Sequence, residues 1–186
     1  MLFVGYEAME ACGRNFTVIV TEPVDVWPWG QGVQLGLNTF DNWLLSEHVA
    51  GHEVFGARMV MVAAGTFHAA GVTADGTLLT WGSGAEGQLC HCNLKERLRP
   101  ERIGRELFGG RPVLMVACGL GHTMVLTVGS LWTCGKGVRD RLGHCDKADR
   151  LVLTQVVEEH FEGNTQIVMV LAGVVHSVAV GSEGDV

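Results

Sequence analysis

Three histidines are the side chains best suited to acid–base or metal chemistry, and they recur at one position of a repeated pattern. They are His68, His122 and His176. Each follows a glycine by three residues and stands in its own copy of the pattern, so the three would be spread through the fold instead of converging. Phe16 occupies the same place in the first copy. We therefore expect structural histidines that donate hydrogen bonds to backbone carbonyls.

A second group with metal-ligand chemistry is Cys90-His91-Cys92, and His144-Cys145 stands in the matching segment of the next copy. Zinc sites use four thiolate or imidazole ligands, usually from cysteines separated by two residues. The C-x-C spacing does not fit, so no metal site is expected. The chain has six cysteines, and for an intracellular β-protein we expect buried thiols instead of disulfides.

Other patterns of enzymatic chemistry are also missing from the sequence. No Ser/His/Asp set and no pair of carboxylates emerges. The glycine-rich segments at Gly82-Ser83-Gly84 and Gly135-Lys136-Gly137 precede no predicted helix, which a phosphate-binding loop requires. We expect no catalytic residues, no cofactor and no enzyme activity.

The segment 60–89 shows which elements must position these side chains. Short apolar runs flank a Gly-x-x-His corner, and an Asp75-Gly76 turn leads into a third run that ends in Trp81-Gly82. This predicts three antiparallel strands, with a fourth in or near Arg99 to Ile103. Pro100 argues against a helix there and favours a loop and an outer strand ending near Leu107-Phe108.

Copies of this segment recur along the chain. The corner glycines are separated by 52, 54 and 54 residues, and they are Gly13, Gly65, Gly119 and Gly173. A period near fifty residues with four strands per unit predicts a β-propeller or a β-solenoid. Since blades stack face to face, we expect the inner strands to be buried on both sides, as their continuous apolar runs indicate.

The pattern V-x-x-A-C-G-x-x-H-T-x-x-L-T, followed by a turn, W-G and G-Q-L-G, resembles the repeat of the regulator of chromosome condensation family. The resemblance implies an all-β fold, a partial seven-bladed-type β-propeller built of four-stranded antiparallel blades. About three and a half repeats would form one domain over residues 1–186. The expected repeats are 1–59, 60–112, 113–166 and a truncated 167–186.

Length bears on how such a fold would be completed. Propellers have at least four blades, which at this period need roughly 210 residues. The 186 residues are too few for a ring, so apolar blade faces would be exposed. Either the rest of the ring lies in further sequence, or neighbouring chains cover the open edges.

Charge is unevenly distributed along the chain, whose net charge is −7. From Lys95 to Arg150 there are 11 basic and 6 acidic residues, between two acidic ends. A mildly basic middle favours an acidic protein partner, although a solvated rim of mixed charge would read the same way. The candidate partner-binding residues are Lys95, Arg97, Arg99, Arg102 and Trp43. The acidic total disfavours nucleic acid, and no apolar run predicts membrane insertion.

These observations favour a non-enzymatic protein–protein interaction or scaffold module, an accessory subunit completed by other protein subunits. We expect it to be intracellular, either soluble or complex-associated. The alternative that the resemblance implies is a guanine nucleotide exchange factor for a small GTPase. Ultraviolet sensing, known in a photoreceptor branch of the family, fits poorly because Gly119-Leu120-Gly121 stands where that branch has tryptophan and arginine before His-Thr.

Overall fold

The computed structural model describes residues 8–21, 25–42, 49–50, 58–157 and 166–182, and these fold almost entirely as β-strands. The first blade contains β1 (Ala8–Cys12), β2 (Phe16–Thr21), β3 (Asp25–Gly30) and β4 (Val49–Ala50). The second contains β5 (Met59–Ala64), β6 (His68–Thr73), β7 (Leu78–Gly82) and β8 (Arg97–Ile103). The third contains β9 (Val113–Cys118), β10 (His122–Thr127), β11 (Ser130–Gly135) and β12 (Arg150–Gln155). The fourth contains β13 (Ile167–Ala172) and β14 (Ser177–Gly181).

Each blade is an antiparallel meander whose strands lie in chain order, from the innermost strand to the outermost. The blades meet through their innermost strands, with β1 against β5, β5 against β9, and β9 against β13. This confirms the predicted four-stranded antiparallel blades and their order. The repeat boundaries given above remain a prediction.

Three short 3-10 helices complete the secondary structure of the described residues. They are Gly32–Leu35, Arg105–Phe108 and Val138–Asp140. Among the residues that the structure describes, no helix has the length and apolar character that crossing a membrane requires.

The corners between the first and second strands of each blade converge on the propeller axis. There they line a cavity of about 480 Å³ whose walls include Gly13, Gly65, Gly119 and Gly173. Neighbouring corners are joined by backbone hydrogen bonds, from Thr66 N to Gly119 O at 3.1 Å and from Leu120 N to Val174 O at 3.3 Å. The repeated glycines therefore mark the places where successive blades approach most closely.

The expectation that the innermost strands are buried on both sides is wrong. The second strands β6 and β10 are buried along their whole length, whereas β5, β9 and β13 are only partly buried. The physical reason for β5 and β9 is that each has blade neighbours on its two faces but open axial space along its free edge. β13 packs against the third blade, and among the described residues no further blade lies on its other face. The apolar run of an innermost strand reflects packing between blades near the axis, and not complete enclosure.

Each of these three innermost strands also carries an irregularity at one equivalent position. The pairing register shifts around Val60 in β5, around Leu114 in β9 and around Val168 in β13. An extra residue in one strand of an antiparallel pair is a β-bulge, which leaves that residue outside the ladder. All three side chains are exposed, so an apolar group faces solvent at the equivalent position of three innermost strands.

The outer strand of the second blade differs slightly from the prediction. β8 includes Pro100, as expected for an edge strand, but it ends at Ile103 instead of near Leu107-Phe108. The next residues form a 3-10 helix because Phe108 turns inward, where its ring meets the edge of Trp132 at a centroid distance of 5.9 Å. The contact of buried Phe108 with half-buried Trp132 thus accounts for the early end of the strand.

Trp81 joins the first and second blades. Its indole Nε1 donates a hydrogen bond of 2.9 Å to the backbone carbonyl of Gln34, and its ring lies over Gly36, where a Cβ atom would be 3.0 Å from the indole. Gly36 also has φ 74°, a conformation that glycine adopts without strain. The small residue after Gln34-Leu35 thus makes room for the tryptophan of the next blade.

Replacing Trp81 by Phe should therefore lower the free energy of unfolding by about 1–3 kcal/mol, because a buried carbonyl loses its donor. Urea denaturation followed by circular dichroism measures this. Trp132→Phe is the matched control, since Trp132 is half-buried and its Nε1 donates within its own blade, to Thr127 Oγ1 at 3.1 Å. A loss for Trp81→Phe no larger than for the control would contradict the assigned role.

Candidate functional site

His68 forms a hydrogen bond across the boundary between the second and third blades. Its Nε2 lies 2.8 Å from Thr123 Oγ1, and that hydroxyl lies 2.7 Å from the backbone carbonyl of Gln88. A carbonyl can only accept, so the hydroxyl proton goes to Gln88 and His68 must donate to the threonine oxygen. The chain of two hydrogen bonds therefore fixes the tautomer of His68 with its proton on Nε2.

His122 repeats this arrangement one blade further on. Its Nε2 lies 3.1 Å from Ser177 Oγ, which donates a 2.6 Å hydrogen bond to the carbonyl of Arg141. His176, at the same position of the fourth blade, is exposed. The expected structural role agrees with both buried histidines, but their partner is a hydroxyl of the next blade and not a carbonyl.

Phe16 shows what replaces this bond in the first blade. The residue of the second blade equivalent to Thr123 and Ser177 is Ala69, and Phe16 and Ala69 belong to one buried apolar cluster. Histidine therefore faces a hydroxyl and phenylalanine faces a methyl group. This matching shows that the position is used for packing between blades.

Burial keeps both histidines neutral. It lowers the pKa of His68 to about 3, and the electrostatic interaction with His122 contributes less. It lowers the pKa of His122 to about 4, assisted by the positive charge of Arg141. Neither imidazole takes up a proton near neutral pH, so neither is suited to general acid–base catalysis there.

The histidine of the Cys90-His91-Cys92 segment, like His144 in the next blade, forms a hydrogen bond that stabilises the fold. His91 Nε2 lies 3.1 Å from Thr80 Oγ1, and His144 Nε2 lies 2.9 Å from Thr133 Oγ1 in the next blade. Each of these hydroxyls donates to a loop carbonyl of its own blade at 2.8 Å. Within the described part of the chain, no group of three or more His, Cys, Asp or Glu side chains is arranged to hold a metal ion.

The expectation of buried thiols is wrong for most of the cysteines. Cys90 and Cys134 form a disulfide with their Cα atoms 5.9 Å apart. Cys118 is a buried thiol whose pKa burial raises to about 12. The remaining three, Cys12, Cys92 and Cys145, are exposed.

Of the candidate partner-binding residues, Arg97, Arg99 and Arg102 lie on the outer strand of the second blade, and Lys95 lies shortly before it. Lys95, Arg99 and Arg102 are exposed, whereas Arg97 is half-buried and pairs with Glu101. The pairing of β8 with β7 shifts register between Glu101 and Arg97, so the side chains on either side of Arg99 do not follow one regular alternation. The structure places these residues at the outer edge of the second blade. Trp43 lies outside the described residues.

Other basic residues of the middle segment have acidic partners nearby. Lys136 Nζ lies 2.8 Å from Glu86 Oε1, which links the third blade to the second. Arg105 pairs with Asp75 at 2.9 Å. The excess of positive charge predicted from the sequence is therefore partly neutralised at the surface.

The comparisons with known proteins agree with this architecture. Profiles described as the regulator of chromosome condensation (RCC1) repeat match residues 61–88 and 75–126. Radial four-stranded sheets with matched contacts between blades define a β-propeller repeat protein. The chain carries RCC1 repeats, and its structure is that of part of such a propeller.

Individual relatives match most of this chain but only part of their own length. The ultraviolet-B receptor UVR8 of Arabidopsis thaliana is 37% identical over 177 residues, which cover 94% of this chain and 39% of the receptor. The crystal structure of human WBSCR16 is similar with a TM-score of 0.78 and 26% identity, over 95% of this chain and 45% of that one. Prp20p of Saccharomyces cerevisiae is similar with a TM-score of 0.76 and 18% identity, over 92% and 43%, and shows the fold alone.

The neutral histidines predict a dependence of stability on pH. In the unfolded chain a histidine takes up a proton as pH falls through about 6.5, whereas in the folded chain His68 and His122 resist protonation down to about 3 and about 4. Stability should therefore fall as pH is lowered from 6.5 towards 4, by about 1.4 kcal/mol per pH unit for each histidine. Urea denaturation at pH 7.5, 6.0 and 5.0 measures this.

His68→Phe is the control for this prediction, because the chain itself uses phenylalanine at the equivalent position. In this variant the free energy of unfolding should change less steeply with pH between 6.5 and 5.0, by the amount that one histidine contributes. A free energy of unfolding that stays constant over that range in the parent protein would contradict the assignment.

Proposed function

We propose that this chain is a non-enzymatic protein–protein interaction module, an accessory subunit of a larger assembly. The observation that carries the proposal is the apolar surface of the fourth blade. Met169, Leu171 and Val174 are each between 44% and 57% exposed on or beside β13. A group of large apolar side chains exposed on a folded protein marks a place where another molecule packs.

The contacts made by the histidines and cysteines that could have carried chemistry support the same proposal. The buried histidines are neutral and form hydrogen bonds between blades, Cys90 forms a disulfide with the next blade, and His91 is hydrogen-bonded within its own blade. The side chains that could do chemistry are thus used for structure, which leaves surfaces to carry function. Functions of RCC1 repeat proteins differ with the sites that each one carries, so the fold alone assigns none.

The partner that we propose is one or more protein subunits lying on the fourth blade, with acidic groups near the outer strand of the second. Lys95, Arg99 and Arg102 are exposed there, and Arg97 and Trp43 complete the set of proposed contact residues. Charges at the rim of an interface mainly guide encounter and register, whereas buried apolar groups supply most of the affinity. We propose no nucleic acid ligand and no membrane insertion.

The test is the native mass of the purified chain over a range of micromolar concentrations. The chain alone has a mass of 20.0 kDa, and we expect a larger species that contains a second copy or a co-purified subunit. Leu171→Glu with Val174→Glu should restore the 20.0 kDa species, because two charges in the apolar surface oppose association.

Val128→Glu is the matched control, since Val128 is 54% exposed but lies in the turn between β10 and β11. It should leave the association unchanged. A lysine-reactive cross-linker applied to the associated form should join Lys95 to the neighbouring subunit. A folded chain that stays at 20.0 kDa at every concentration would contradict the proposal.

The alternative proposal is guanine nucleotide exchange on a small GTPase. It rests on the fold shared with Prp20p, whose crystal structure was described together with its binding to Gsp1p and histones. Its measurement is the release of labelled GDP from a panel of small GTPases. Acceleration of release would establish it, and unchanged release across the panel would remove it.

A further inference from the structure

Two consecutive blade junctions use different side chains at the same two positions. At the first junction, Trp81 of β7 covers Gly36 and donates to the carbonyl of Gln34. Cys134 of β11 is the residue equivalent to Trp81, because both stand immediately before the glycine that ends the third strand. Cys90 is equivalent to Gly36, because each follows a Gln-Leu pair. The second junction therefore has cysteine at both places.

The two cysteines meet where the tryptophan and the glycine meet. Cys90 and Cys134 are 1% and 0% exposed, and their Cα atoms are 5.9 Å apart, which is the usual separation across a disulfide. The sulfur of Cys134 also lies 3.6 Å from the carbonyl of Gln88, which is equivalent to the carbonyl that Trp81 binds. The pair thus fills the same space by a different chemistry.

The backbone supports treating the two changes as a single exchange. Cys90 has φ 63°, close to the 74° of Gly36, although this conformation is unfavourable for any residue with a side chain. At the first junction a side chain in that place would collide with the indole. A cysteine at position 90 is therefore compatible with the fold only because position 134 no longer carries a tryptophan.

We propose that Cys90 and Cys134 form a redox-controlled covalent link between the second and third blades, in place of the tryptophan contact. The disulfide closes a separation of 44 residues, so it holds two independently hydrogen-bonded sheets together. When it is reduced, two small thiols occupy a place that an indole fills at the neighbouring junction. The oxidation state then sets how firmly these two blades are joined.

The reaction partner is a small-molecule disulfide such as oxidised glutathione. The Cys90 thiolate attacks one sulfur of that disulfide, forms a mixed disulfide and expels one thiolate. The Cys134 thiolate then attacks the Cys90 sulfur and expels the second. Two electrons pass from the protein to the small molecule, and the two protons of the cysteines end on the two released thiols. Because both sulfurs are buried, exchange requires the junction to open.

The first experiment counts free thiols in the whole chain. The protein is equilibrated with oxidised glutathione, freed of it, unfolded and alkylated with iodoacetamide, and its intact mass is measured. Of the six cysteines, four should be alkylated or carry glutathione as a mixed disulfide, and all six should be alkylated after treatment with dithiothreitol. A peptide map should join the peptides of Cys90 and Cys134. Six alkylated cysteines in the oxidised sample, or a link between other cysteines, would overturn the proposal.

The second experiment compares stability with and without reductant. Dithiothreitol should lower the melting temperature of the parent by roughly 5–15 °C, since a disulfide of ordinary strength is removed from a chain of this size. Cys90→Gly with Cys134→Trp should rebuild the first junction's contact at the second and make the melting temperature insensitive to reductant. Cys92→Ser with Cys145→Ser is the matched control, and it should keep the full response.

The glycine–tryptophan variant is also compared with Cys90→Ala and Cys134→Ala together, which removes both sulfurs without supplying an indole. The glycine–tryptophan variant should melt at the higher temperature of the two. An equal or lower melting temperature would overturn the equivalence of the two junctions. A parent whose melting temperature does not respond to dithiothreitol would overturn the redox control itself.

Discussion

One constraint recurs at every described junction: a loop carbonyl lies buried between two blades and needs a hydrogen-bond donor that only the next blade can supply. For Gln34 the donor is the indole of Trp81, for Gln88 it is the hydroxyl of Thr123, and for Arg141 it is the hydroxyl of Ser177. A buried carbonyl without a donor costs about 1–3 kcal/mol, a large part of the stability of an ordinary domain. This requirement explains why a residue that can donate a hydrogen bond stands on the second or third strand of the following blade.

The same constraint explains why the histidines are structural. A threonine or serine that has given its proton to the carbonyl is left with an acceptor, and His68 or His122 fills it. Where the donor is instead an indole, the second-strand residue is Ala69 and no histidine is needed, so Phe16 packs against it. The most reactive-looking side chains of the sequence are thus the last members of hydrogen-bond chains that hold blades together.

Repetition made most of the fold predictable from the sequence. The glycine and histidine spacing located the first three strands of the first three blades and both strands of the fourth, and Pro100 indicated an edge strand. Pairing between copies was not predictable, because Phe16 and Ala69, or Cys90 and Cys134, stand at different positions of different repeats and become neighbours only when blades stack. The bulges at Val60 and Leu114 left no signal, since a bulged residue and a paired one look alike in an apolar run. Of the candidate binding residues, only the place of Arg99 and Arg102 in or near an outer strand could be predicted.

The way each blade meets its successor gives the propeller a direction and an order. Each blade contacts the blade that follows through a loop carbonyl, and it contacts the blade that precedes it through side chains of its second and third strands. The blade with Trp81 and Ala69 suits a predecessor with Phe16 and Gly36, whereas the blade with Thr123 and Cys134 suits one with His68 and Cys90. Duplicating, deleting or shuffling a single blade would bring together surfaces that do not match. Blades of this chain can therefore be inherited or recombined only as compatible neighbours, and the repeats, although similar in outline, are not interchangeable.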